Sequence, residues 1–93
     1  MAVYPKSLKV YVRQEDINKG CLFSARGCPV ARALMRGMKA AAVTSTYFIV
    51  NNTDSPIGWS QQYVMPKKAS RFVLDFDAGK SVKPISFEAW RSE

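Results

Sequence analysis

Three sets of side chains in this sequence are able to do chemistry: the cysteines Cys21 and Cys28, the aspartates Asp75 and Asp77, and several rows of arginine and lysine. Cys28 precedes Pro29 at the start of an expected helix. There the positive end of the helix dipole lowers a thiol pKa, and Arg26 would push the same way. A reactive thiolate is one reading of that pattern. The favoured reading is a small buried residue ahead of a capping proline, because no base or orienting partner accompanies it. The chain has no histidine, which removes the commonest general acid/base and a common zinc ligand. Two cysteines alone do not complete a zinc site within one chain. They could close a short disulfide loop, but a reducing compartment favours free thiols. Asp75 and Asp77 stand two apart on a helical segment, so they diverge by about 200° and form no carboxylate pair. No glycine-rich phosphate loop is present. The expectation is a protein that is not an enzyme and that uses no metal and no cofactor.

The basic residues are the more informative set. Lys and Arg number 14 against 7 Asp and Glu, giving a formal charge of +7 on 93 residues. Arg26, Arg32, Arg36 and Lys39 are expected to form a stripe along the first long helix, with no acidic residue inside the stripe. Lys67, Lys68 and Arg71 open the second long helix, where Arg71 and Asp75 have the spacing of an i, i+4 pair. Lys80, Lys83 and Arg91 lie near the end of the sequence. A basic row is often only a solvated face. With a net charge this high, it is also an electrostatic footprint for phosphate. The expected partners are therefore a host protein or nucleoprotein complex, with DNA or RNA as direct ligands in the rival reading. Membrane binding is disfavoured, because the apolar helix faces are needed for so small a core. Arg32, Arg36 and Lys39 are the first candidate contacts, followed by Arg26, Lys67, Lys68 and Arg71.

The elements that would position these residues follow from periodicity. Leu8 to Arg13 alternates as a half-buried strand, and Gln14 to Lys19 has room for one helical turn before Gly20. Pro29 to Met38 reads as a helix with Cys28 as its N-cap. Its apolar face is expected to hold Val30, Ala33, Leu34, Met35 and Met38, with Arg32, Arg36 and Lys39 opposite. Gly37 weakens its last turn. Ala42 to Val50 reads as one central strand. The dense turn signal from Asn51 to Pro56 then leads to a returning strand, Ile57 to Val64. A second helix begins at Pro66, carries Ala69, Phe72, Val73 and Phe76 as its apolar stripe, and stops at Gly79. Pro84 to Trp90 is the last strand. The fold class is therefore α+β, a single small domain over residues 1–93 in the order β-α-β-β-α-β. About four strands form one sheet with two helices packed on it. Tyr11, Trp59 and Tyr63 lie on strands and form either a base-stacking platform or, as favoured here, part of the core. No RNP-type motif, KH loop or helix-turn-helix spacing is present.

Two stretches carry a family resemblance. Cys28-Pro29-Val30-Ala31-x-Ala33 resembles a C-P-V-A-x-A helix start, and Phe76-Asp77-Ala78-Gly79-x-x-Val82-x-Pro84-x-x-Phe87 resembles an F-D-x-G-x-x-V-x-P-x-x-F ending. Together they resemble small, mostly uncharacterised proteins encoded by bacteriophages and prophages. The resemblance implies a phage accessory gene expressed in the cytoplasm of an infected bacterium, and it lends no functional residue. No apolar stretch reaches the ~20 residues of a membrane span, and no apolar leader opens the sequence. The combined expectation is a small basic accessory protein, monomeric or a small homo-oligomer. It docks on a host nucleic-acid machine and inhibits it, as anti-CRISPR and host-takeover inhibitors do. The alternatives are a sequence-tolerant DNA- or RNA-binding protein needing no protein partner, and a thiol-dependent protein using Cys28.

Overall fold

Side chains along the strands alternate between buried and open, so the sheet has one face in the core and one that carries no helix. The computed structural model describes residues 4–51 and 60–92. Its elements in chain order are β1 (Ser7–Val12), α1 (Gln14–Lys19), α2 (Pro29–Leu34), β2 (Ala40–Val43), β3 (Tyr47–Asn51), β4 (Ser60–Val64), α3 (Lys67–Asp77) and β5 (Ile85–Arg91). The strands form one sheet in the order β1-β5-β4-β3-β2, with every pair antiparallel. The α+β class and the antiparallel sheet agree with the sequence. The count differs: among the described residues five strands and three helices stand where about four strands and two helices were expected.

The extra strand comes from the segment expected to be one long strand. Residues 42–50 do not run straight through; they form the hairpin β2–β3. The cause is Thr44. Its hydroxyl donates to the Tyr47 carbonyl and accepts from the Thr46 and Tyr47 amides, and its own amide donates to Tyr47 O at 2.8 Å. This local network competes with extended pairing and folds the chain back. The next hairpin, β3–β4, matches the sequence reading. Its turn and the first part of the expected returning strand, including Trp59, lie outside the described residues.

The core face carries Val10, Val12, Val43, Phe48, Val50, Tyr63, Phe87 and Ala89. Phe48 and Tyr63 are cross-strand partners whose rings stack at 5.4 Å. Tyr63 is thus core, as favoured, with its hydroxyl satisfied by the Pro5 carbonyl, whereas Tyr11, expected with it in the core, points to the open face and is exposed. α3 covers this layer with Ala69, Phe72 and Val73 buried and Phe76 half-buried. Gly79 at φ +78° ends that segment in the left-handed conformation that glycine adopts without strain. α2 packs against β1 and β2, the two edges of the sheet, so the sheet curls around it. Cys28 caps α2 as expected, its sulfur accepting the Ala31 amide at 3.4 Å.

α2 is shorter than expected. It stops at Leu34, and residues 35–39 descend through turns before β2 begins. The expected face therefore breaks. Val30 and Leu34 are buried, Ala33 and Met38 pack at the core's margin, but Met35 is exposed and Ala31 takes a buried place instead. Gly37 and the bond from the Lys39 amide to Asn51 O pull the chain out of helical register and into the sheet.

α1 and α2 meet closely at Gly20. A Cβ there would stand 2.7 Å from Pro29 Cδ and 2.8 Å from the Asp16 carbonyl. Gly20→Ala is therefore expected to destabilise the fold by about 1–3 kcal/mol, as overpacking does. Urea denaturation of the two proteins measures it, and Gly37→Ala, where nothing lies within 4 Å, is the control.

Candidate functional site

The seven candidate cations do not behave as one row. Arg36 is taken out of it first. Nη1 of Arg36 donates to Asp16 Oδ1 at 2.6 Å, and Nη2 donates to the main-chain carbonyl of Tyr11. Asp16 is only 1% exposed, and its other oxygen accepts the Arg13 amide at 2.8 Å. Burial by itself would raise the Asp16 pKa. The Arg36 hydrogen bond, the Arg13 amide and the nearby charges of Arg36 and Arg32 outweigh it and hold the carboxyl below its usual value. The expected uncompensated stripe is thus compensated at Arg36, by an aspartate on a different helix. Because α2 ends at Leu34, Arg36 and Lys39 do not extend its face. Arg36 is a structural residue.

Arg32 is half-buried beside this pair, and its Nε has no hydrogen-bond partner. Lys39 is exposed at the entry to β2, and Arg26 is exposed on the loop before α2. Neither lies on a helix, so the first basic stripe is dispersed over an ion pair, a helix, a turn and a loop.

The second cluster is intact. Lys67, Lys68 and Arg71 are exposed in the first two turns of α3, and with Ser70 and Leu74 they line a shallow groove of about 490 Å³. None of the three has an ion-pair or hydrogen-bond partner among the described residues. The expected Arg71–Asp75 pair does not form. Asp75 lies 3.8 Å from Lys80, and Asp77 accepts the Phe23 amide at 3.0 Å. The helix begins at Pro66 with no side-chain cap and no acidic residue in its first turn, so its own dipole adds to the positive field there.

The helix-free face of the sheet has a different character. Tyr11 and Trp90 are 57% and 58% exposed, and Val64 and Ile49 are open beside half-buried Tyr47. Tyr47, Val64 and Trp90 stand side by side across β3, β4 and β5. Tyr11, Val64, Ile49 and Trp90 were missed as a group, because strand alternation shows two faces without showing which one the helices cover.

The thiols are both free, Cys21 exposed and Cys28 buried. Burial pushes the Cys28 thiol up. The Ala31 amide offsets part of this, and the charge of Asp77 adds to the upward shift. A lowered-pKa nucleophile at this helix start is therefore not what the environment makes. Among the described residues no group of three His, Cys, Asp or Glu side chains could hold a metal ion, and no helix is long and apolar enough to cross a membrane. Compared with protein-family models, with curated proteins and with solved structures, the chain shows no match in any of the three.

Two outcomes follow from these environments. A carboxyl held below its unfolded pKa stabilises the fold above that value and loses its contribution as pH falls through the folded pKa. Wild-type stability is therefore expected to decline below about pH 4, and Asp16→Asn to cost about 1–3 kcal/mol at neutral pH while flattening that decline. Thermal melts between acid and neutral pH check both. In alkylation by iodoacetamide, Cys21 is expected to react promptly and Cys28 only on unfolding, which mass spectrometry of the labelled protein reads.

Proposed function

We propose that this protein is a small, non-enzymatic binding module. It docks the basic start of α3 on the nucleic acid of a host nucleoprotein machine and thereby blocks that machine's nucleic-acid path. The observation that carries this reading is the state of Lys67, Lys68 and Arg71, three exposed cations on two turns of one helix. The nearby aspartates are engaged by Lys80 and by the Phe23 amide. Unpaired cations on a rigid helix approach phosphates without first breaking an internal ion pair. Arg26, Arg32 and Lys39 are flanking contacts in this reading, and Arg36 supports the fold instead. The phage-type setting rests on the two short motifs in the sequence, and inhibition of a host defence or transcription machine rests on analogy with other small inhibitors.

A second reading, direct binding of single strands by base stacking, draws on the exposed rings of Tyr11 and Trp90. The same face opposes Lys9 with Glu88 across β1 and β5. It therefore offers a phosphate backbone fewer cations than the start of α3 does. The basic helix start remains the better supported contact.

The test is binding to labelled single-stranded and duplex DNA and RNA across a salt series. Wild-type binding should weaken steeply with salt. Removing one cation that neutralises a phosphate should reduce the slope of log K against log salt by about 0.7–0.9. Lys67→Glu combined with Arg71→Glu should weaken binding and flatten that slope while leaving the melting temperature unchanged. Unchanged affinity and slope in this variant would sink the assignment.

A further inference from the structure

β1 is an edge strand, and its open side is built differently from an ordinary edge. The Arg91 amide donates to the Lys6 carbonyl, which fixes the phase of the β1–β5 ladder. Alternation then directs the amides and carbonyls of Leu8, Val10 and Val12 towards β5, and those of Ser7, Lys9 and Tyr11 away from it. Among the described residues no strand pairs with that outer side. The Tyr11 carbonyl is satisfied by Arg36, which marks where the open stretch ends. Beside the edge, between β1 and the end of α2, lies a cavity of about 320 Å³. Leu8, Leu34 and Met38 give it apolar walls, Lys9 and Arg13 add positive charge along its rim, and the Arg36 guanidinium there is already paired with Asp16.

We infer that this edge takes up an extended segment of a protein partner as a sixth strand. That segment alternates apolar side chains, which enter the cavity beside α2, with acidic side chains, which meet Lys9 and Arg13 on the other face. Main-chain bonds to Ser7 and Lys9 supply the pairing, and the cavity and cations supply the selection. Charge decides among occupants. Two copies pairing antiparallel through this edge would centre on Lys9 and bring two lysines face to face, which is destabilising. The net charge of +7 adds to that repulsion. An acidic strand reverses both effects. Among the described residues Lys9 forms no ion pair, although Glu88 stands opposite it, and Arg13 has only a loose 3.8 Å contact with exposed Glu15, so both cations remain available.

The site is separate from the start of α3, and the two are tested separately. The probe is a short peptide alternating valine and glutamate, with a valine–lysine peptide as its control. Both are added to the intact protein while amide exchange is followed by NMR. At a concentration about ten times its Kd, the acidic peptide should slow exchange of the Ser7, Lys9 and Tyr11 amides about tenfold, and the basic peptide should not. Lys9→Glu should weaken the acidic peptide about fivefold. Lys9→Pro, which removes an outward amide without touching the β5 ladder, should abolish binding. The Lys67→Glu, Arg71→Glu variant should bind the peptide as wild type does. The inference is overturned by any one of three results: no protection at Ser7 and Lys9, equal protection by both peptides, or protection that rises with protein concentration alone, the mark of a second copy.

Discussion

A buried carboxylate has to be surrounded by donors, and the way Asp16 meets that demand organises one whole side of this molecule. Its two oxygens take the Arg13 amide, at the end of β1, and the Arg36 guanidinium, beyond the end of α2. The same guanidinium reaches the Tyr11 carbonyl on the outer side of β1. One charge pair therefore joins a strand, a short helix and the exit of a second helix. α1 and α2 are six residues each, too short to hold themselves. They depend on such contacts and on the close approach at Gly20. The pair also sets the electrostatic surface, because it neutralises an arginine from the middle of the first basic row.

The consequence is a partition of surfaces. Cations without partners among the described residues gather at the start of α3. The helix-free sheet face is aromatic, and the free edge of β1 combines open main-chain groups with the cations Lys9 and Arg13. A chain with net charge +7 is not uniformly basic. Its exposed cations at the start of α3 stand where the nearby aspartates have other partners. Asp75, Asp77 and Asp16 are each engaged with Lys80, the Phe23 amide or Arg36. This commitment leaves Lys67, Lys68 and Arg71 available to an external anion.

Much of this could be read from residue order. The apolar stripe of Ala69, Phe72 and Val73, the cap at Cys28 and Pro29, the stop at Gly79 and the burial of Tyr63 all follow from local rules that the structure obeys. The β2–β3 hairpin did not follow, because Thr44 turns the chain through side-chain bonds in a stretch whose composition favours a continuous strand. The fate of Arg36 was hidden for a different reason. Its partner lies twenty residues away on another element, and helical periodicity reports only neighbours on the same helix. Local spacing likewise suggested Arg71 for Asp75, whereas the chain reversal after Gly79 brings Lys80 to it instead. Charges at i, i+4 are easily read. Charges that meet through tertiary structure, which set the distribution of exposed cations here, are not.

The central claim is that the start of α3 is the anion-binding surface and that Arg36 is engaged by Asp16 and the Tyr11 carbonyl. Titration of the isotopically labelled protein with a single-stranded oligonucleotide, followed by amide chemical shifts, tests both halves at once. The account predicts that Lys67, Lys68, Ser70, Arg71 and Leu74 shift first and furthest, while Asp16, Arg36 and Tyr11 stay in place. Shifts centred on Arg36 and Tyr11, or none at α3 when the oligonucleotide is in excess, would contradict it.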